Sequence, residues 1–331
     1  MLEFIVLVLS IAFFFYTLLG GADFGAGIIE LFTGNKSIRP IYKAIAPVWE
    51  VNHMWLILAI VIIFNGFPPI FAQMSVSLHI PLFIILMGIV LRGTAFTFRH
   101  YDTHVDGTHV YYHWIFRISS LLTAVFLGVT LGAMMYGRID NDPNSTFYLQ
   151  FIAPWFNYFC FSVGIFVALI FAYIASIFIL GEAIEAKQVR FYGILAKRFS
   201  ISMIIVGSVV LTLAYLYEVP FLSLALSAPI SWAAFTGATI LLPLIWRGIN
   251  KNQLQLIRVF VALQIGLIML GWAAAQIPIL IHMKDGNHLT LYNSVAPDAT
   301  LYYLTIALVV GSLSIFPSIY YLFRVVKFKS E

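Results

Sequence analysis

Residues 20–27 read GGADFGAG, and they lie inside an apolar stretch that runs from Leu2 to about Phe32. About 20 apolar residues in a helix are enough to cross a bilayer, so this stretch predicts a membrane-spanning helix. Asp23 is the exception within it, because a carboxylate on such a helix costs about 2.5–3.5 kcal/mol and usually faces protein or water. The depth of Asp23 and the groups that face it therefore bear on both fold and function.

The composition is that of a protein with several membrane spans. Of 331 residues, 62% are hydrophobic and 10% are charged, whereas soluble domains contain about 25% charged residues. The net charge of +4 is spread over short loops and does not indicate nucleic-acid binding. The single cysteine, Cys160, excludes an internal disulfide and a thiolate-held metal or iron–sulfur cluster. The N-terminus lacks the basic region of a signal peptide, so we expect the first span to be retained.

Windows of about 20 apolar residues predict nine spans in one all-α integral membrane domain over residues 1–331. The polar intervals between the windows are short, and none is long enough to fold as a soluble domain. The predicted spans are 2–31, 46–72, 78–98, 114–136, 155–180, 199–217, 222–246, 257–282 and 300–323.

The distribution of basic residues predicts the orientation. Lys and Arg are enriched in cytoplasmic loops, and alternate loops hold all but two of the 18 Lys and Arg residues. The two on the other side are Arg138 and Lys284. We therefore expect the N-terminus outside and the C-terminus in the cytoplasm.

Two acidic residues, Asp23 and Glu50, are predicted to lie inside spans. Asp23 comes seven residues before Glu30, near the inner end of the first span, and Glu50 comes seven residues after Lys43. At 1.5 Å per residue, both lie roughly 10 Å from the cytoplasmic edge. Because a short loop joins the two helices, the two carboxylates are candidates for a pair that is reached from the cytoplasm.

The small residues around Asp23 predict close helix packing. Gly21 and Gly25 have the small-xxx-small spacing that lets helices approach closely, and Ala22 and Ala26 repeat it one position along. Such packing would hold Asp23 against protein and away from lipid. Two interpretations stay open: a role in proton handling, or a packing seam in which Asp23 only forms an interhelical hydrogen bond.

A second stretch, APVWEVNHMW at residues 46–55, places Glu50, Asn52 and His53 within about one helical turn. Proton relays in membranes are built from such carboxylate and imidazole groups. His53 is equally compatible with a neutral structural histidine that hydrogen-bonds Glu50 or a backbone carbonyl.

Arg92 and Arg99 are seven residues apart near the inner end of the third span. They are candidates to neutralise Asp23 or Glu50. The alternative is that both only anchor the helix at the inner face and set the topology.

The loop RHYDTHVDGTHVYYHW is rich in histidine. It holds His100, His104, His109 and His113, and the pairs 100/104 and 109/113 have the i,i+4 spacing of metal ligands. Incidental polarity of a cytoplasmic loop explains these residues as well, so we expect no metal site.

A haem held by two histidines needs both of them at one depth on facing helices. His53 lies near the inner side, whereas His79 and His282 lie near the outer side. Only the last two could meet, and both look interfacial. We therefore expect this chain to ligate no haem.

Taken in order, these stretches resemble subunit II of the cytochrome bd quinol oxidases. The family's first span ends in a G-x-D-x-G-x-G type segment, matched by GGADFGAG, and a P-x-W-[DE]-x-N segment with a further Trp follows, matched by PVWEVNHMW. Two more segments match: RGTAFTFR after the third span and PDATL before the last. The resemblance covers essentially the whole chain, including nine spans with the N-terminus outside.

The resemblance implies a partner, a haem-bearing subunit I with two b-type haems and one d-type haem. That partner oxidises quinol near the outer face, and oxygen is reduced to water with protons from the cytoplasm. Subunit II ligates no haem; it supports the partner and is proposed to carry part of the proton path, with Asp23 and Glu50 at the family's acidic positions.

The resemblance also implies a place in the bacterial cytoplasmic (inner) membrane, in contact with lipid and quinol. A small single-span subunit is a further candidate partner. Some members of the family hold a quinone in this subunit, but nothing in the sequence locates such a site.

One residue departs from the family pattern. The position after the Asn is commonly Glu or Gln, and here it is His53. Either the relay beyond Glu50 differs, or this position is structural.

Two other functions compete with the oxidase subunit. An ion-coupled secondary transporter would bind its coupling ion at Asp23 and Glu50, but the estimated depth and the lack of an internal repeat argue against it. A pure scaffold subunit would carry no protons at all.

Overall fold

The computed structural model of the chain describes residues 1–34, 38–101, 109–183 and 185–328, without the side chains of residues 38–50, 100–101, 109, 316, 319–320 and 322–328. Helices make up most of these ranges, and two short strands join them near the end. In chain order the elements are α1 (Leu2–Phe15), a π-helical turn (Tyr16–Gly20), α2 (Gly21–Thr33), α3 (Ile38–Gly66), α4 (Pro68–Ser77), α5 (His79–Tyr101), α6 (His109–Tyr136), α7 (Phe147–Phe151), α8 (Tyr158–Glu182), α9 (Ala186–Leu216), α10 (Pro220–Ser227), α11 (Pro229–Asn250), α12 (Leu254–Gln276), β1 (Ile279–Ile281), β2 (Leu289–Thr290) and α13 (Asp298–Phe328).

Eight helical segments in the described ranges are long and apolar enough to cross a membrane, and there are nine if the bent pair α3–α4 counts as one span. One of these segments joins α1, the π-helical turn and α2. The predicted fold class, an all-α membrane protein, is confirmed. The direction in which the chain enters the membrane stays a prediction.

The first span is a single helix of 32 residues, Leu2–Thr33. The π-helical turn interrupts its α-helical hydrogen bonding just before Asp23, and such single turns are frequent at functional sites. The helix ends at Gly34, whose φ of +62° suits a residue without a side chain.

Prolines end several helices inside predicted spans. α3 ends at Gly66, and the chain bends by 112° before α4 begins at Pro68. Pro229 begins α11, and Pro278 follows the end of α12. Proline cannot donate the backbone hydrogen bond that continues a helix. The observed bounds therefore differ from the predicted spans 46–72, 222–246 and 257–282. A hydropathy window averages the apolarity of all its residues, so it does not register a single proline that interrupts the helix.

α2 lies at the centre of the bundle, between α6 and α8, and every residue in Gly21–Glu30 is buried. A Cβ atom at Gly25 would overlap a backbone carbonyl oxygen of α8, and one at Gly27 would overlap a serine hydroxyl of α6. Ala22 and Ala26 are fully buried in the same helix. The small side chains thus bring three helices into backbone contact.

The remaining helices surround this centre. α5 packs on α6, α6 packs on α8, and α8 packs on α9. α11 and α12 form an antiparallel pair, with α12 contacting α8, and α13 packs on α3. α1 lies against α3, which places α3 beside both halves of the first span.

The loops that follow α6 and α12 meet at one end of the bundle, which we call the cap end. Strand β1 (Ile279–Ile281) pairs antiparallel with β2 (Leu289–Thr290). Lys284 Nζ donates to Asp140 Oδ2 at 2.7 Å, and this hydrogen bond lowers the pKa of Asp140 to about 2. Burial lowers the pKa of His282 to about 4. The opposite end, where the predicted cytoplasmic loops lie, is called the basic end.

We predict that Gly25→Ala destabilises the protein by about 1–3 kcal/mol or more, because the methyl group would overlap the α8 backbone. Gly311→Ala in α13 is the matched control, since nothing lies within 4 Å of its added Cβ. Alanine is the better helix former, so the control is expected to melt at or above the wild-type temperature. Thermal unfolding of the purified variants in detergent measures both, and equal melting temperatures would contradict the close packing of α2.

Candidate functional site

Asp23 and Arg92 form a buried ion pair between α2 and α5. Arg92 Nη1 donates to Asp23 Oδ2 at 2.6 Å, and Nη2 contacts both Asp23 Oδ1 and the Asp23 backbone carbonyl oxygen, the latter at 3.0 Å. Neither side chain is more than 1% exposed. A fork of two N–H groups on one carboxylate is among the strongest polar contacts in proteins. It explains how an apolar helix tolerates Asp23.

The other neighbours of Arg92 come from α2 and α6. Its Nε donates to Ser120 Oγ at 3.0 Å. Its guanidinium lies 4.9 Å from the ring centroid of Phe24 and 5.1 Å from that of Phe116. Aromatic faces attract a cation most strongly where water is excluded. One side chain of α5 thus ties α2 to α6.

α3 reaches the same site through Asn52. This buried residue donates from Nδ2 to Asp23 Oδ2 at 3.4 Å. His53 is half-buried beside it, close enough for the charges of Asp23 and Arg92 to act on its ring. The side chain of Glu50, and with it the predicted Asp23–Glu50 pair, lies outside the described residues.

A second ion-pair cluster surrounds Glu30, farther along α2 toward the basic end. Arg99 Nη1 donates to both carboxylate oxygens of Glu30, at 3.1 and 2.9 Å, and Arg117 Nε donates to Oε1 at 3.0 Å. His113 Nδ1 lies 3.7 Å from the same oxygen. Arg99 also lies over the ring of Phe116, 4.4 Å from its centroid. Glu30 is fully buried, so these cations replace the water that it has lost.

The two clusters are matched in spacing. Asp23 and Glu30 are seven residues apart on α2, and Arg92 and Arg99 are seven residues apart on α5. Seven residues make about two turns and a rise of about 10 Å. Because α2 and α5 both run from the cap end to the basic end, each acid meets one arginine of α5, and Glu30 meets Arg117 of α6 as well. We call Asp23, Glu30, Arg92, Arg99 and Arg117 the charge ladder.

Sequence reasoning missed Glu30 as a site residue, and it counted Arg117 only among the basic residues that set the orientation. Glu30 stands near the end of an apolar stretch, where a carboxylate usually reaches water. The signal that could have found it is the equal spacing of the two acids and the two arginines. Of the two partners considered for Arg92 and Arg99, the structure places Asp23 against Arg92, and it pairs Arg99 with Glu30.

The His-rich loop falls largely outside the described residues. The side chains of His100, His104 and His109 belong to that part, whereas His113 lies beside Glu30. In the side chains that the structure does describe, no group of three or more His, Cys, Asp or Glu is arranged to hold a metal ion.

The two histidines considered as haem ligands have other neighbours. His79 Nδ1 lies 2.8 Å from the backbone carbonyl oxygen of Val76, and its ring packs against Phe151. The ring of His282 packs edge to face on that of His288, with centroids 5.0 Å apart. His79 and His282 thus contact different residues, Phe151 and His288.

The charge ladder generates a prediction on stability. Arg92→Gln and Asp23→Asn each leave one buried charge without its partner, so each is expected to cost about 3–5 kcal/mol. The double variant removes both charges and is expected to recover part of that loss. Arg258→Gln is the control, because Arg258 and Glu182 form an ion pair in which both side chains are 38% exposed. Such exposed pairs contribute about 0–1 kcal/mol.

The melting temperatures of Arg92→Gln, Asp23→Asn and the double variant complete a double-mutant cycle with the wild type. The melting temperature of Arg258→Gln serves as the control. If Arg92→Gln were no more harmful than Arg258→Gln, the Asp23–Arg92 contact would not stabilise the fold.

The chain is similar to proteins of one family over most of its length. The family model described as cytochrome bd terminal oxidase subunit II matches residues 1–326. A stretch of 143 residues is 35% identical to cytochrome bd ubiquinol oxidase subunit 2 of Bacillus subtilis. This aligned stretch covers 42% of this chain and 41% of that protein. A stretch of 119 residues is 25% identical to cytochrome bd-I ubiquinol oxidase subunit 2 of Escherichia coli K12. This second stretch covers 35% of this chain and 31% of that protein. The matched stretches thus span less than half of these relatives.

The fold is similar to that of a solved structure. A chain in the structure of bd oxidase from Geobacillus thermodenitrificans superposes with a TM-score of 0.80 over 99% of this chain and 98% of that chain, at 18% sequence identity. At this identity the likeness concerns the fold alone. The match of the family model over nearly all residues carries the assignment: the chain belongs to the cytochrome bd terminal oxidase subunit II family.

Proposed function

We propose that the chain is the subunit without haem ligands in a bd-type quinol oxidase of the bacterial inner membrane. It supports a haem-bearing subunit I, which oxidises quinol and reduces oxygen to water, and it carries part of the cytoplasmic proton path. The observation that carries the proton role is the charge ladder: ionisable groups follow one another along α2 from the basic end into the apolar core.

Titratable groups stand at both levels of the ladder. Glu30 and His113 lie near the basic end, and Asp23 and His53 lie about 10 Å deeper. Ser120 lies between the levels, since it contacts Arg92 and stands beside Gly27, midway between the two acids. Arginine does not give up its proton, so in this proposal the arginines hold the carboxylates in place and the acids, histidines and hydroxyl carry protons. Glu50 belongs to the same path by its position in the sequence.

A pure scaffold role is the second candidate, and the ion pairs themselves favour it. Asp23 forms an ion pair with an arginine of α5, and Glu30 forms ion pairs with arginines of α5 and α6. Such contacts would clamp three helices together whether or not a proton ever passes. The family assignment argues against the third candidate, an ion-coupled secondary transporter.

The haems are assigned to subunit I in this proposal. Among the described residues, His53 and His113 lie beside buried acids, and His79 and His282 are packed against other rings. These positions do not fit a pair of axial ligands, so no step of the proposal passes through a haem in this chain. A quinone and a small single-span subunit remain candidates without an assigned site.

The partner is tested by affinity purification of the tagged chain from the membranes of cells that express both subunits. The expected product contains a second large membrane subunit and shows absorbance bands of b- and d-type haems. The same chain purified after expression without subunit I is expected to show no haem bands. Haem bands in the chain expressed alone would overturn the assignment of the haems to the partner.

The proton role is tested with Asp23→Asn, Glu30→Gln and Glu50→Gln in the complex. Each is expected to slow oxygen consumption by at least about tenfold, which corresponds to about 1.4 kcal/mol on the barrier, while the haem spectra stay unchanged. Glu182→Gln is the control, since it removes a carboxylate that is paired with Arg258 at the exposed surface. Normal turnover in all three variants would leave the scaffold role.

A further inference from the structure

An open depression of about 590 Å³ lies in the surface of the basic end, where α12 begins. It is lined by the residue before α12 and by four residues from its first two turns, namely Gln253, Leu254, Gln255, Leu256 and Val259. Two exposed side-chain amides, which both donate and accept hydrogen bonds, thus stand beside three apolar side chains. A ligand that matches this lining has a polar part and an apolar part.

The apolar part of the lining continues along α12 toward the cap end. Leu256 and Val259 are exposed in the depression, and Leu263 and Leu270 are exposed farther along the same helix. Steps of three, four and seven residues keep these side chains on one face of a helix. The exposed face of a membrane-spanning helix lies against acyl chains, which are as apolar as leucine. The depression therefore opens onto hydrocarbon on the side that faces the membrane core.

Positive charge surrounds the polar part of the depression. Lys251 precedes Gln253 by two residues in the turn between α11 and α12, and Arg247 lies one turn back, in the last turn of α11. Lys197 of α9 is held beside them, because its Nζ donates to Asn250 Oδ1 at 2.7 Å. None of these three cations lies within ion-pair distance of an acid in the part of the chain that the structure describes.

Trp246 marks the level of the membrane surface at this end. Its indole Nε1 donates to Ser200 Oγ at 3.0 Å, one turn from Asn250 toward the membrane core. Tryptophan is enriched where lipid head groups meet hydrocarbon. A Cβ atom at Gly248 would lie 2.9 Å from Ile257, so the end of α11 and the start of α12 stand at the same level. The polar-to-apolar change in the lining thus falls where a head group meets its acyl chains.

We propose that this depression binds one anionic phospholipid of the membrane. Lys251 and the amide groups of Gln253 and Gln255 bind the phosphate oxygens, and one acyl chain lies against Leu256 and Val259. Basic clusters beside membrane-spanning helices attract anionic lipids, by about fivefold in affinity for each lysine or arginine near the surface. The bound lipid would join the turn between α11 and α12 to the bilayer. This proposal holds or fails independently of the proton role.

The ligand is tested with the purified complex of both subunits in a neutral detergent. Phosphatidylglycerol is added, and its binding is measured by native mass spectrometry and by the rise in melting temperature that a ligand of the folded state causes. Phosphatidylcholine, with the same chains and no net charge, is expected to bind at least about fivefold more weakly. Inorganic phosphate is expected to have no effect. Equal binding of phosphatidylcholine, or an equal effect of inorganic phosphate, would overturn the proposal.

The charge is tested with Lys251→Gln, which is expected to weaken phosphatidylglycerol binding about fivefold. Lys187→Gln is the matched control, since it removes the same exposed charge from the start of α9, about 15 Å along that helix from Lys197. The control is expected to bind phosphatidylglycerol like wild type. If both variants lost the same affinity, the lipid would be attracted by the basic end in general, and the proposed site would be wrong.

The shape is tested with Val259→Trp, which fills the depression without changing the charge. Val259 is 62% exposed, so the larger side chain is expected to leave the fold intact. The variant is expected to lose phosphatidylglycerol binding, whereas Val209→Trp, at an exposed position of α9, is expected to keep it. Unchanged binding in Val259→Trp would overturn the proposal. So would a Val259→Trp chain that no longer copurifies with subunit I, because the depression would then belong to the subunit interface.

Discussion

Two carboxylates and three arginines are buried where α2, α5 and α6 meet, and the packing of the rest of the bundle depends on their ion pairs. A charge in a medium of low dielectric costs several kcal/mol unless an opposite charge lies within contact distance. The ion pairs therefore fix the rotation and the axial position of α5 relative to α2, because a shift of one residue would separate both pairs. Glycine and alanine on α2 make the contact distances attainable, since larger side chains would push α6 and α8 outward.

The same arrangement links stability to function. The arginines keep Asp23 and Glu30 in fixed positions, and the small residues exclude lipid from them. A proton path needs groups that stay in place and stay away from hydrocarbon, and a scaffold needs the same. For this reason the structure of the ladder supports both roles, and only turnover measurements separate them.

The sequence predicted most of the fold, and part of the site. Hydropathy found the spans, and the expected bounds differ from the helices where Pro68 and Pro229 begin new helices and where Pro278 follows the end of α12. Asp23 and Arg92 were singled out because a charge in an apolar stretch is conspicuous. Glu30 was not, because its importance comes from Arg99 and Arg117, and which helices face α2 is decided by packing that no single stretch encodes.

The π-helical turn has a mechanical consequence for the first span. At 3.6 residues per turn, one residue corresponds to a rotation of about 100°. The turn therefore changes which face of the helix is buried before and after it. Ile5, Leu9 and Ala12 are buried in α1, whereas Asp23 and Glu30 of α2 contact arginines of α5. A deletion of a single residue between 16 and 20 would convert this turn into regular α-helix and rotate one half of the span by about 100° relative to the helices that it contacts.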